Sequence, residues 1–469
     1  MMHAAVVGSG PNGLAAALTL AKAGVEVTVY EAAASPGGGA RSTQATLDGL
    51  VHDHCAGFHP LAVDNAFTKF AQLEEYGLQW AWPEVQYAHP LDDGDGAAAY
   101  RSVAQTAEGL QDPSWKHLFG SLTEQFPTIT RDFLQPMLRL PDAPLQFANF
   151  GLRAGLPANV LARLLRNERS RALFAGVAAH AFRPLQSFGS AAIGVALASA
   201  GHAYGWPVAK GGSSAIVDAM LKALYAHGGQ VVTGTRISTA AQLPDADIVM
   251  LNTAPGAAAD IMGSEIPQRV SKQLHTFRHG AAAATVSLAV EGGIPWTYAP
   301  ARAAGTVHVG GTFSEIAFVE RQVTNGVMPR NPFVLVGQQS VADASRGRDT
   351  VHPVDAYAHV PAGYPHDVTE EIVRQIERFA PGVRDRIVAS SSRTTADLAV
   401  ENPNFVGGDI VTGSNAFDQL LFRPRPALNP YRLGASGAYL CSAATPPGAG
   451  AHGMAGYNAA TAALAELNR

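Results

Sequence analysis

Cysteine and charge are both scarce in this chain. Cys55 and Cys441 are the two cysteines among 469 residues. Two distant thiols make neither a disulfide framework nor a zinc cluster. They fit a reducing compartment, so a cytoplasmic protein is expected. Charged residues make up 15% of the chain and the formal net charge is −5. Without a basic excess there is no electrostatic footprint for a nucleic acid. Long apolar runs are missing as well. No stretch of about 18 uninterrupted apolar residues occurs, so no membrane span is expected. The first apolar run starts within a few residues of Met1, which leaves no room for a cleavable leader. What the chain has in quantity is glycine, 48 residues, and their placement is informative.

The amino-terminal stretch reads AAVVGSGPNGLAAALTLAKAGVEVTVYE. Ala4 to Val7 suits a buried parallel strand. Gly8, Gly10 and Gly13 follow as G-x-G-x-x-G, with Pro11 and Asn12 inside the motif. Leu14 to Ala23 reads as a helix, and Val25 to Tyr30 as a second strand ending in Glu31. This is a βαβ dinucleotide unit. Gly8 makes the tight turn, Gly10 admits the pyrophosphate and Gly13 lets helix and strand pack closely. The pyrophosphate belongs at the helix N-terminus, where free N–H groups favour an anion. Glu31 falls where an acid takes a ribose hydroxyl, and its charge disfavours the 2′-phosphate of NADP.

Pro36-Gly37-Gly38-Gly39-Ala40-Arg41-Ser42 comes next. Consecutive glycines let backbone pass close to a ligand, and Arg41 can reach a phosphate or a ring edge. Placed directly after the ribose carboxylate, the run resembles the second glycine motif of the large FAD family that includes amine oxidases and carotenoid desaturases. FAD is the expected cofactor.

The length allows two domains. Val85 to Val103 reads as a hairpin around LDDGDG, and Pro113 to about Ser199 as mostly helical. In GWPVAKGGSSAIVDAM a helix starts after Gly211-Gly212, with Ser213 as its candidate N-cap. Val231-Val232 begins a strand that leads to Ile237, and Asp247 to Leu251 is a buried strand ending at Asn252. From about Ser271 to Ser391 strand-like runs alternate with one amphipathic helix, VTEEIVRQIERFA. The last segment returns to strand, glycine loop and helix. The expected fold class is α/β: a Rossmann-type FAD-binding domain assembled from discontinuous segments, 1–100, 205–265 and 396–469. A helical insert, 101–204, and an antiparallel sheet with a helix, 266–395, form the substrate domain.

Gly448-Ala449-Gly450-Ala451-His452-Gly453 repeats G-x-G-x-x-G, but Pro446-Pro447 precede it and no second strand follows. It reads better as a helix N-terminus aimed at the flavin, favouring the charge that reduced flavin develops near N1 and O2. HDHCAGFHPL, FAGVAAHAFRPL, GWPVAKGGSSAI, ENPNFVGGDI, LLFRPRP and YLCSAATPPGAGAHGMAGYNAA together resemble the phytoene dehydrogenase-like, carotenoid desaturase-related branch of FAD-dependent oxidoreductases. The resemblance implies FAD held by Gly8, Gly10, Gly13, Glu31, and Gly38, Gly39 and Arg41. It places Ile237 at adenine, and Gly450, His452, Gly453 and Met454 beside the isoalloxazine. It implies removal of a hydride and a proton from a C–C or C–N bond of a hydrophobic or amine-bearing small molecule, with oxygen, a quinone or another carrier as acceptor. The family pattern has a lysine and an aspartate at about Thr285 and Ser287, and this chain lacks both. A flavin-dependent isomerase and a non-catalytic FAD-stabilised assembly protein, with an oligomer in view, are the alternatives.

Hydride transfer to flavin needs positioning more than acid–base help. Any proton acceptor is sought first at His452, then at His59 and His54. A cysteine adjacent to His54 does not have metal-site spacing, so no metal is expected. Asp53 reads as cap or loop acid, Asp409 as base or loop anchor, and Arg423 and Arg425 as anion ligands or solvated arginines. Arg153, Arg163, Arg166, Arg169 and Arg171 lie among Leu and Ala. That pattern is either a solvated helix face or a peripheral membrane contact.

Overall fold

The computed structural model describes residues 2–434 and 437–467. Its first sheet is parallel, in the order Ala438–Leu440, Ile248–Leu251, His3–Val7, Glu26–Tyr30, Gln230–Val232. These strands come from three separate stretches of the chain. Helices cover both faces, as a parallel sheet requires, so its central strands are plain apolar runs. The first helix, Pro11–Lys22, has proline in its first turn and no side-chain cap. The last helix, Met454–Leu467, packs along it. Gly456 makes that approach feasible, because a Cβ there would collide with the Asn12 carbonyl.

The second sheet has seven strands: Ile387–Arg393, Ala282–Glu291, Val351–Val360, Val334–Gly337, Ala304–Val309, Val85–Pro90, Gly96–Ala99. Pairing is antiparallel except where Val85–Pro90 runs parallel to Ala304–Val309. Side chains alternate along a strand, and here the two faces differ in chemistry. Val286, Leu288, Val354, Val336 and Val307 face the Thr369–Phe379 helix as an aliphatic core. The positions between them, Thr285, Ser287, Asp355, Tyr357, His359, Thr306, His308, Tyr87 and His89, form the opposite face. The helices Ser114–Phe133, Glu168–Ala179 and Ala191–Ala203 build a separate core on Trp115, Phe119 and Phe174 beside it.

The expected α/β class and its two contrasting sheets are present. The hairpin differs from expectation. It lies inside the first nucleotide segment of the sequence, 1–100, yet its strands complete the second sheet. The partner strand is some two hundred residues away, and a local pattern carries no trace of it. Ser213 also differs: it stands at the start of the Ser214–Ala226 helix without capping it through its side chain. Its hydroxyl bonds the Ala56 carbonyl instead, and its N–H donates to Asp53 Oδ1 at 2.8 Å.

Candidate active site

A cleft of about 240 Å³ opens at the ends of the parallel strands. Its wall runs from Glu31 past Gly8, Gly10, Asn12 and Gly38–Arg41 to Ala443, Ala444, Gly450 and Ala451. Both amino-terminal glycine stretches meet here. A Cβ on Gly38 would lie 3.1 Å from Gly10 Cα, and one on Gly10 would lie 2.9 Å from Asn252 Nδ2. Gly8 has φ +91°, and a side chain on Gly13 would collide with the Gly8 carbonyl. Gly13 thus works beneath the wall, as its packing role requires. The uncapped start of the Pro11–Lys22 helix leaves first-turn amides for an anion.

Glu31 is fixed in place. Its Oε2 accepts from Ser9 N at 2.8 Å and Ser9 Oγ at 2.5 Å, and its Oε1 accepts from Ala33 N at 2.8 Å. A carboxylate has about four acceptor sites, so with three in use Glu31 can still accept from one ribose hydroxyl. Arg41 lines the cleft while its Nε donates to the Gly38 carbonyl and its Nη2 to the Glu401 carbonyl. Ile237 and Asn252 line the wall, and Asn252 Nδ2 donates to the Gly8 carbonyl at 3.3 Å. Asn12 Oδ1, Thr253 Oγ1 and Thr412 Oγ1 belong to lining residues and are buried without a partner. Buried polar atoms are rarely left so. Together these features form a long cradle with an acid at one end, amides in the middle and unpaired acceptors along its length. The residues present fit FAD.

The carboxy-terminal loop divides at Ala451. Gly450 and Ala451 line the cleft. His452, Gly453 and Met454, expected beside the ring, are buried and are not among the residues that line the cleft. His452 is 3% exposed, and its Nδ1 accepts from Met454 N at 3.1 Å. That bond caps the terminal helix. Burial pushes the imidazole down to about 4. Gly453 abuts the Phe67 ring, and Met454 is in the core.

The other histidine candidates separate too. His59 is buried, with Nε2 2.9 Å from Ser213 Oγ, and burial followed by the Arg346 charge pushes it down to about 3. It does not reach the cleft. His54 sits at a smaller neighbouring cavity, with Nδ1 3.2 Å from Glu401 Oε2. Burial, then Arg393, lower its affinity for a proton. The histidine in the cleft wall itself is His279, which the sequence did not single out. It had no motif around it and reaches the wall by the fold alone.

The acids and arginines resolve as well. Asp53 is a buried hub: Oδ2 pairs with Arg346 Nη1 at 2.5 Å, and Oδ1 accepts from Ser42 Oγ and Ser213 N. Asp409 anchors its loop, accepting from the backbone of Gly280, Val411 and Gly413. Arg423 is buried against Gly448, its Nη2 3.2 Å from Asn415 Oδ1, and burial pushes it down to about 10. Arg425 donates to the Arg432 carbonyl. No group of three metal-ligating side chains occurs among the described residues.

The smaller cavity shares Cys55 and Ile410 with the cleft and lies on the polar face of the second sheet. Thr285, Ser287, Gln339, Asp355, Tyr357 and Arg393 line it. Thr285 stands opposite Tyr357, and Ser287 opposite Asp355. A carboxylate is therefore present beside Ser287 after all, supplied by the neighbouring strand. Ser287 Oγ donates to Asp355 Oδ1 at 2.9 Å, and His52 Nδ1 bonds the same oxygen at 2.8 Å. Asp53 N and Gln339 Nε2 donate to Oδ2. Burial works against this charge, but the hydrogen bond and charge of His52 and the other donors hold the carboxyl below its usual range. No lysine lines this cavity among the described residues; the cation at this point is Arg393, which stands opposite Thr285 on the other neighbouring strand.

Comparison with known proteins agrees with this geometry. Residues 6–72 match the family model of the NAD(P)-binding Rossmann-like domain. The mouse pyridine nucleotide-disulfide oxidoreductase domain-containing protein 2 is 39% identical over 93 residues, and its rat counterpart 38%. The match spans 20% of this chain and 16% of each relative. Among solved structures, an oxidoreductase from Methanosarcina mazei superposes with a TM-score of 0.64 at 16% identity, covering both chains in full. Putrescine oxidase bound to putrescine gives 0.62 at 17% identity, over 100% of this chain and 99% of that one. Cyclohexylamine oxidase from Brevibacterium oxydans gives 0.58 at 15%, over both chains in full. Residues 6–72 are thus similar to the NAD(P)-binding Rossmann-like domain, and the chain has, end to end, the fold of these solved structures.

Proposed function

We propose that this protein is an FAD-dependent oxidoreductase that takes a hydride and a proton from a C–N or C–C bond of a small molecule with a polar reacting end. The observation that carries this is the junction of the two cavities. The cleft built for the dinucleotide ends at Cys55 and Ile410, where the polar sheet face begins. Bound FAD supplies the hydride acceptor. The chain's own residues do the rest. The Gly8–Gly13 turn and the first helix hold the pyrophosphate, and Glu31 holds the ribose. Thr285 Oγ1 and Gln339 Oε1, both buried and unpaired, are acceptors for an N–H or O–H group of the substrate. A wholly apolar polyene would leave them unpaired, at a cost of about 1–3 kcal/mol each. This favours amines or hydroxyl-bearing substrates over a bare hydrocarbon.

The non-catalytic alternative drew its support from the missing charged pair. Asp355 supplies the acid of that pair from another strand, which weakens that support. The test is an absorbance spectrum of the purified protein, chromatography of the released chromophore, and anaerobic titration with amines, alcohols and polyenes. Bleaching of a flavin band by a polar substrate, with electrons passed on to oxygen or a quinone, is expected. A colourless protein that takes up no FAD refutes the proposal. Turnover without net electron transfer assigns an isomerase instead.

A further inference from the structure

The exposed side of the Pro144–Ala154 helix has the wrong chemistry for water. Pro144, Leu145, Ala148, Gly151 and Leu152 are its exposed residues, and none is polar. They repeat at i, i+3, i+4 and i+7, so they form one stripe. Leu145 is 83% exposed and Leu152 76%. A surface helix ordinarily turns its polar side outward. The preceding loop adds Leu140, 91% exposed. The segment after the helix adds Val160 and Leu164, and Phe188 at 71%. Phe188 belongs to the same surface, because Gly189 N donates to the Gly155 carbonyl and Asn159 N to the Leu185 carbonyl. Isolated exposed leucines mean little, but a contiguous set marks an interaction surface.

The charges around the stripe indicate what covers it. Gln146, Asn149 and Arg153 border it along the same helix, and Arg153 Nη1 donates to the Asn149 carbonyl at 2.9 Å. Arg131, Arg163 and Arg166 are exposed and have no carboxylate partner among the described residues. Of the acids nearby, Asp132 and Asp142 share Arg139, Glu168 meets Arg171 and Asp418 meets Arg278. Glu124, exposed on the helix of Arg131, has no ion pair among the described residues, and the three free arginines outnumber it. This narrows the basic stretch of the sequence, since Arg169 and Arg171 are taken up by Asp95 and Glu168. A second copy docked by two-fold symmetry would set this surplus of arginine against itself. Anionic headgroups would neutralise it. No helix among the described residues can cross a bilayer, so contact would be in the interface plane.

We propose that this face docks on an anionic lipid surface, with Leu140, Leu145, Leu152 and Phe188 entering the headgroup boundary and Arg131, Arg163 and Arg166 meeting the phosphates. The substitutions that test it are at exposed positions, which spares the core. Flotation of the full chain with phosphatidylcholine vesicles and with equimolar phosphatidylcholine and phosphatidylglycerol vesicles is the measurement. Binding to the mixed vesicles, at least tenfold above the neutral ones and weakened by salt, is expected. L145E/L152E should lower it at least tenfold with an unchanged thermal melt, and R163E/R166E should remove the preference for anionic lipid. Absence of binding to the mixed vesicles overturns the proposal, as does binding that L145E/L152E leaves intact. Sedimentation reads the competing case: a dimer that L145E/L152E dissociates makes this face a self-association surface and also overturns it.

Discussion

Arg346 and Asp53 join the two halves of the site, and removing the arginine tests that role. Their side chains are 0% and 1% exposed and 2.5 Å apart. Asp53 belongs to the nucleotide-binding side and Arg346 to the sheet side. Arg346 Nη2 also donates to the Ala209 carbonyl at 2.7 Å. Removing one partner of a buried pair costs about 3–5 kcal/mol, because the other charge is left uncompensated. In Arg346→Met, Asp53 keeps its bonds from Ser42 Oγ and Ser213 N. That remaining solvation puts the expected loss at the lower end, about 3 kcal/mol. For a domain of 150–250 residues each kcal/mol moves melting by about 2–4 °C, so a fall of about 6–12 °C is expected.

The assay is a thermal melt followed by flavin fluorescence and circular dichroism. Cofactor release is expected to precede or accompany loss of secondary structure, since the pair lies behind the glycine loops. The double variant Asp53→Asn with Arg346→Met removes both charges of the close pair and leaves Asp343, whose Oδ2 lies 3.5 Å from Arg346 Nε, to its Ser345 and Gly211 bonds. It should be no less stable than Arg346→Met alone, with a coupling energy of about 1–3 kcal/mol. A single variant that melts within about 2 °C of the parent, or strictly additive losses in the double variant, would refute the argument.

Gly456→Ala places a methyl group against the Asn12 carbonyl, so a loss of about 1–3 kcal/mol and weaker FAD retention are expected in denaturant titration. Gly211→Ala meets nothing nearby and has only its φ of +82° to offend, so it should cost about 1 kcal/mol. His452→Gln should lose about 1 kcal/mol as a helix cap is weakened, with kcat little changed. His279→Gln should change turnover or flavin binding and leave stability within about 0.5 kcal/mol in a melt. Acid should destabilise the fold through His59 and His452. Their folded pKa values, about 3 and about 4, lie below the unfolded value of 6.5. The unfolded chain then binds more protons in that window, so stability is full above about pH 7 and falls as pH drops toward 4. Melts at pH 7 and pH 4.5 should show a smaller difference for His452→Gln than for the parent.

Local physics made the dinucleotide half of the protein legible. Strand, glycine turn, helix and acid all fall within thirty-one residues, and each constrains backbone conformation directly. Gly8, Gly10, Glu31 and Gly38 therefore come together along one cleft wall. The misplaced residues show the limit of that method. His452 follows the right glycines but lies past the point where the loop turns inward, and only its bond to Met454 N reveals it. A titratable side chain in a ligand loop is half in the wall and half under it. Sequence spacing does not distinguish the two.

The carboxylate at the sheet is the harder case. A strand read alone, ATVSLAV, has lost its acid at Ser287. The sheet recovers it because position 355 on the next strand faces the same cavity. Cross-strand neighbours share a site as closely as residues two apart on one strand, yet they are sixty-eight residues apart in the chain. His52, which helps keep that carboxyl charged, is 303 residues away. What a site requires is a charge at a point in space. Several chain positions around a β-sheet can supply it, so loss of a residue from one strand is weak evidence for loss of the chemistry. Asp355→Asn makes that argument testable. It keeps the shape and removes the charge, so FAD binding should persist while reduction by substrate slows at least tenfold in anaerobic stopped flow. Reduction at the parental rate would make Asp355 a scaffold residue and would return the missing pair to its first meaning, a site without its charge.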